Sequence, residues 1–221
     1  MVIASIFFKV PTPGAVKTRL AQGVGPHVAA QLATTFFLDT LSLVSSVPGL
    51  QPVVSTNGEL PPSLLQEISC PIWDQGSGGL GDRLERIFQR GLQSAARVVA
   101  LGADSPGLPV EALIDLCGLG DRYDAVLGPT EDGGFYALSL NRCTSGLLQD
   151  IPWSTADTCC ATEARIKAHG LTSARGASFF DVDHPADLAR LTRALQCGEL
   201  LAPRTATLLT ALQLEGNKTP G

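Results

Sequence analysis

Four short stretches of this chain carry residue types that could do chemistry together. The first reads Lys9-Val-Pro-Thr-Pro13-Gly14-Ala-Val-Lys17-Thr-Arg19 and follows the first apolar run. Gly14, after Pro13, allows close approach of the loop backbone to a ligand, and Lys17 and Arg19 add two cations before a helix start. Cations beside free backbone N–H groups make a cradle for polyphosphate. The loop lacks the spacing of a P-loop, and a solvated basic loop is the plainer alternative. The second stretch is Gly102-Ala-Asp104-Ser-Pro106-Gly-Leu-Pro109. A carboxylate directly after an apolar strand suits Mg²⁺ or Mn²⁺, ions that take one or two carboxylates plus substrate phosphates. Asp104 lies too far upstream to cap the helix expected near Pro109.

The third stretch, Gly128-Pro-Thr-Glu131-Asp132-Gly133-Gly134-Phe-Tyr136, sets carboxylates beside two glycines. Asp132 with Gly133 and Gly134 could orient a sugar or acceptor hydroxyl, with Asp132 as general base. Asp-Gly is also the commonest hairpin signal, so a plain turn stays open. In the fourth, Phe180-Asp181-Val-Asp183-His184-Pro185, Asp183 could complete the metal site or cap a helix that begins at Pro185. His184 is a weaker candidate ligand. Gly76-Ser-Gly78-Gly-Leu-Gly81 matches the dinucleotide fingerprint G-x-G-x-x-G, with Asp104 ending the next strand. The strand before it is short and poorly apolar, which weighs against a nicotinamide enzyme.

Positioning such residues requires a sheet whose strand ends meet. Apolar runs alternate with helix-period segments, the pattern of a mostly parallel sheet sandwiched by helices. Strands are expected at 2–8, 51–55, 71–73, 97–102, 123–127, 135–140 (antiparallel to its neighbours) and 178–180. Helices are expected at 26–44, in a short piece opened by Pro61-Pro62, and at 82–96, 109–117, 156–168 and 185–195. Residues 1–197 read as one domain, followed by a C-terminal helix and a disordered tail over 198–221. With 221 residues and 44% hydrophobic content the chain can build one sizeable core. A net charge of −5 argues against nucleic acid and membrane surfaces as partners. The six cysteines show no zinc spacing, and the vicinal pair Cys159-Cys160 reads as ordinary helix residues. The first apolar run is too short for a signal core or membrane span, so a reduced, cytoplasmic protein is expected.

Taken in order, F-x-K-x-P-x-P-G-x-V-K-T-R-L, Q-G-x-G-x-L-G-x-R-L, G-x-D-S-P-x-L-P, G-P-x-x-D-G-G-F-Y, W-S-T and D-V-D resemble one family. The chain is similar, over about residues 5–190, to the glycosyltransferase-A-like transferases found beside radical-SAM and arsenosugar genes. These are related to the guanylyltransferases of deazaflavin-cofactor synthesis. The resemblance implies a Rossmann-like nucleotide-diphospho-sugar transferase fold. It implies Lys17 and Arg19 on the donor phosphates, Asp104 on the metal, and Asp132 to Gly134 on the sugar or acceptor. Gln75, Gly79 and Arg83 would line the nucleotide side. His184 departs from the family, whose members usually carry threonine there. The resulting expectation is a metal-dependent glycosyltransferase with a nucleotide-activated small-molecule donor and an unidentified acceptor. In its reaction Lys17 would assist the leaving phosphates and Asp132 the acceptor. A nucleotidyltransferase releasing pyrophosphate, an NAD(P)-dependent oxidoreductase and a non-catalytic nucleotide-binding protein are the alternatives.

Overall fold

The computed structural model describes residues 1–216. Seven strands form one sheet in the order β3-β2-β1-β4-β6-β5-β7. They are β1 (Val2–Phe8), β2 (Leu50–Thr56), β3 (Ile72–Asp74), β4 (Arg97–Gly102), β5 (Ala125–Pro129), β6 (Phe135–Leu140) and β7 (Ser173–Arg175). β1, β2, β3 and β4 run parallel, β6 is antiparallel to both β4 and β5, and β7 is parallel to β5. This is the mixed, mostly parallel sheet expected. β1 and β4 are near-continuous apolar runs because helices cover both of their faces. Ser5 on buried β1 is tolerated because its hydroxyl meets that of Ser55 at 2.6 Å.

The helices are α1 (Thr18–Val24), α2 (Pro26–Ser46), α3 (Pro62–Leu65), α4 (Leu80–Leu92), α5 (Val110–Gly120), α6 (Thr158–Ala168), α7 (Pro185–Gln196) and α8 (Pro203–Gly216). α2 is the one helix among the described residues long and apolar enough to cross a membrane, with mean hydropathy 1.3. In the fold 61% of that stretch is buried, and Phe37 stacks on Phe8 of β1 with ring centroids 4.1 Å apart. Core packing accounts for its composition. Buried Asp39 on α2 accepts the N–H groups of Arg204 and Thr205 at 3.0 Å each, so it satisfies the free N-terminal donors of α8. The tail expected to be disordered lies, over 217–221, outside the described residues.

Several boundaries differ from the sequence reading. α1 is an extra short helix, separated from α2 by Gly25 at φ 81°. α4 ends at Leu92, and not near Ala96, because residues 93–95 turn the chain straight into β4. β5 begins at Ala125, since Tyr123 O accepts a hydrogen bond from buried Arg97 and Asp124 is spent on Thr172. The last strand is Ser173–Arg175, and residues 178–180 keep only a single bridge between Thr130 and Phe179. There the chain leaves the β5 edge and crosses to β4, where Val182 N–H donates to Asp104 O at 2.8 Å. The glycine-rich loop opens α4 after β3, a strand at the sheet edge. Asp104 follows β4, which lies beyond β2 and β1. That separation removes the dinucleotide fingerprint, whose acidic residue must end the strand beside the glycine-bearing one.

Candidate functional site

The chain continues from β1 toward β2 on one side of the sheet and later to β4 on the other. The crevice beyond the carboxyl ends of β1 and β4 is therefore a topological switch point, where open α/β sheets hold ligands. A cleft of about 960 Å³ opens there. Its first wall is the loop after β1. Lys9 Nζ donates to Ala15 O at 2.7 Å and ties that loop to its own start. Lys17 closes it in the left-handed region, at φ 47° and ψ 43°, immediately before α1. A left-handed lysine costs on the order of 1 kcal/mol, and such strain persists where the surroundings enforce a side-chain position.

What enforces it is a pair of carboxylates. Lys17 Nζ lies 2.6 Å from Asp104 Oδ1 and 2.7 Å from Asp183 Oδ1, and the lysine side chain is 5% exposed. Burial alone would lower the Lys17 pKa. The attraction and hydrogen bonds of Asp104 and Asp183 outweigh it and hold the ammonium above its ordinary value. The two aspartates are 55% and 40% exposed, so they turn their remaining surface to the cleft. Asp181 is the third carboxylate here. Val182 is buried in the cluster with Leu20 and Phe36, while Asp181 and Asp183 on either side of it line the cleft. Ser105 Oγ donates to Asp181 Oδ1. Burial raises the Asp181 pKa to about 7; the Asp104 and Asp183 charges add to the rise, and Ser105 and Lys17 oppose it.

Capping is not the task of Asp183. The N–H groups of Asp183 and His184 donate to Asp187 Oδ2 at 3.1 and 2.7 Å, so Asp187 closes the start of α7. Exposed His184 occupies the N-cap position. Among the described residues no group of three or more His, Cys, Asp or Glu side chains is arranged to hold a metal ion. The oxygen chemistry of Asp104 and Asp183 nonetheless fits a hard cation completed by substrate phosphates, because that coordination asks the protein for only one or two carboxylates.

The opposite wall comes from the turn after β5 and the loop before α6. Asp132 Oδ1 accepts from Thr130 Oγ1 at 2.6 Å and from Gly134 N–H at 3.0 Å, so Asp132 shapes this turn and also faces the cleft. Buried Glu85 on α4 accepts the N–H groups of Gly146 and Leu148 at 3.0 and 2.6 Å. Gly81 lets the same loop approach, since a Cβ there would lie 2.2 Å from Leu148 O. This seats half-buried Trp153 beside Phe135, with ring centroids 6.1 Å apart in an edge arrangement.

The structure brings Lys17, Arg19, Gln75, Arg83, Asp104, Asp132, Gly134 and Asp183 to one cleft, although the motifs span most of the chain. Gln75 is buried and gives its amide to Ser55 O at 2.7 Å; Arg83 braces Gly78 O at 2.9 Å. Pro13, Gly14, Gly79 and Gly133 do not line the cleft. Gly79 is the N-cap of α4. Gly133 packs against the loop before α6, at φ 90°, where a Cβ would lie 2.0 Å from Ala156 O. The close packing against Ala156 is what requires a glycine there. Asp181, Trp153 and Ser154 also line the cleft without having been assigned a role from sequence. The Asp-x-Asp alternation ahead of Pro185 is the signal that points to Asp181.

Residues 40–155 match the family described as "uncharacterized protein conserved in bacteria (DUF2064)". The chain belongs to this family. Its fold is similar to that of a Desulfovibrio desulfuricans protein provisionally assigned as a nucleotide-diphospho-sugar transferase, with 26% identity and a TM-score of 0.85 over 96% of this chain and 95% of that one. It is also similar to CMP:2-keto-3-deoxy-manno-octonic acid synthetase in complex with CTP, at 16% identity and TM-score 0.56 over 90% and 99% of the two chains. A third similar fold is glucosyl-3-phosphoglycerate synthase from Mycobacterium tuberculosis, in complex with Mn²⁺, UDP and glucosyl-3-phosphoglycerate. There the identity is 12% and the TM-score 0.52, over 86% and 75%. The chain matches no curated protein sequence. The sheet is thus that of the nucleotide-diphospho-sugar transferases, as the resemblance implied.

Proposed function

We propose that the protein is a cytoplasmic, metal-dependent glycosyltransferase that takes a nucleotide-activated sugar as donor. The observation that carries this reading is the convergence of Lys17 and Arg19 with Asp104 and Asp183 at the β1–β4 crevice. Asp104, with Asp183, would hold Mg²⁺ or Mn²⁺, which when bound supplies charge neutralisation for the donor phosphates. Lys17 is prefixed between its carboxylates, so its charge needs no reorganisation as the nucleoside diphosphate departs. Arg19 and Arg83 flank the same region and orient the donor. At the other wall Asp132, its Oδ1 fixed by Thr130 and Gly134, accepts the proton of an acceptor hydroxyl. The acceptor oxygen bonds to the sugar carbon, and the carbon–oxygen bond to phosphate breaks.

Calorimetry of UDP, GDP and CDP binding with Mg²⁺ and with EDTA tests this. Wild type should bind at least one nucleotide more tightly with the ion, and Asp104→Ala should lose that difference. Equal affinity in EDTA for wild type contradicts the metal role. The likeness to a CTP-bound synthetase favours a second reading, nucleotidyl transfer, in which a substrate phosphate attacks an NTP and pyrophosphate leaves. The same cations would serve it.

A further inference from the structure

We infer that the acceptor is an uncharged or cationic polyhydroxy compound, and not a phosphorylated or carboxylated one; this rests on the glycosyl-transfer reading above. The two walls of the cleft differ in charge. Every cation that lines it, Lys9, Lys17, Arg19 and Arg83, comes from the loop after β1, from α1 or from α4. The wall built by residues 132–135 and 153–156 contributes Asp132, Gly134, Phe135, Trp153, Ser154 and Thr155. Among the described residues lining that wall none is basic. The arginines nearest in sequence are engaged elsewhere. Arg142 pairs with Asp124 at 3.4 Å, and Arg165 donates to Gly146 O at 2.9 Å.

An anionic acceptor would therefore meet Asp132 with no compensating cation, and like charges at close range oppose binding. A sugar or polyol meets suitable groups. Its C–H faces pack on the half-buried rings of Trp153 and Phe135, and its hydroxyls find the Asp132 carboxylate and the exposed Ser154. Ser154 holds φ 61°, a strained conformation for a residue with a side chain, at the rim of the cleft. An amino group on the acceptor would add attraction to Asp132. The M. tuberculosis synthase, whose bound product bears a phosphate, would differ from this protein on that point.

The tryptophan at this wall reads the test. The protein has two tryptophans, so Trp73→Phe leaves Trp153 as the sole reporter, and Trp153→Phe is the reverse control. Fluorescence titrations, in the presence of Mg²⁺ and the tightest-binding nucleoside diphosphate, compare glucose and glucosamine with glucose 6-phosphate and glucosamine 6-phosphate. At least one unphosphorylated probe should give a saturable change, with its phosphate form at least ~10-fold weaker. That change should vanish in Trp153→Phe, while Thr155→Lys should narrow or reverse the preference. A phosphate form binding as tightly as its parent, or no saturable change from any unphosphorylated probe, overturns the inference. Nucleotide calorimetry on the same samples separates the causes. Nucleotide binding intact means the acceptor inference alone has failed, and nucleotide binding absent means the transferase reading has failed with it.

Discussion

Lys17 and Asp183 are 166 positions apart in the chain, yet Lys17 Nζ donates to Asp183 Oδ1 at 2.7 Å. The bond closes one side of the cleft, joining the loop after the first strand to the segment that crosses back from the last.

Variants at Lys17 should separate strain from function. Lys17→Ala and Lys17→Gly should both weaken nucleotide binding by ~10-fold or more, because a charge-assisted contact is worth about 1.5–3 kcal/mol. Lys17→Gly should melt higher than Lys17→Ala, since glycine adopts φ 47° without steric cost. Paired melts and calorimetry check both. Normal nucleotide binding in either variant would reduce Lys17 to a structural tie between two aspartates.

Gly133→Ala should fail in folding before it fails in turnover. The added methyl meets Ala156 O, and φ 90° is a backbone region that alanine avoids. A loss of ~2 kcal/mol or more in denaturant unfolding is expected. A normally stable variant with only a raised acceptor KM would restore Gly133 to the substrate side.

Asp124 gives a pH prediction. Thr172 N–H and Oγ1, with Asn141 and Arg142 adding to them, hold its carboxyl down to about 2. A depressed pKa means the charged form is favoured in the native state, so this stabilisation is complete above the unfolded value near ~3.9. It disappears as pH falls through about 2. Asp124→Asn should therefore lower the Tm at pH 7, and the gap from wild type should shrink in melts taken toward pH 2. An undiminished gap would place the effect of the substitution in packing.

Asp39→Ala should loosen α8 without touching the cleft. Three hydrogen bonds are lost, to Arg204 N, Thr205 N and Thr205 Oγ1. A cost of about 1–3 kcal/mol follows from stranding helix N-terminal donors. Hydrogen exchange over 203–210 should rise while nucleotide affinity stays at wild type. Unchanged exchange would mean α8 is held by Leu209 and its apolar neighbours alone.

The sheet was legible because buried runs such as Val2–Phe8 and Arg97–Gly102 have lengths and flanks that allow little else. So was the gathering of Lys17, Arg19, Asp104 and Asp132, since each follows a strand whose end a parallel sheet brings to one edge. What could not be read was direction. Whether Asp183 would cap α7 or reach Lys17 depended on Asp187 taking the capping bond. Gly133 and Gly134 look alike in sequence, but only the backbone path shows that one packs tightly on Ala156 and the other lines the cleft. The setting of Asp181 cannot be read from its neighbours in sequence, because it is assembled from Ser105 and a lysine far away in the chain.

Glycosyl transfer at the Lys17–Asp104 crevice is tested most directly by the nature of the released product. The protein would be incubated with Mg²⁺ or Mn²⁺ and either NTPs or NDP-sugars, with a panel of neutral and phosphorylated acceptors. Release of nucleoside diphosphate from an NDP-sugar, abolished in Asp104→Ala and in Lys17→Ala, is the predicted result. Release of pyrophosphate from an NTP, with every NDP-sugar left intact, would contradict it and make the protein a nucleotidyltransferase.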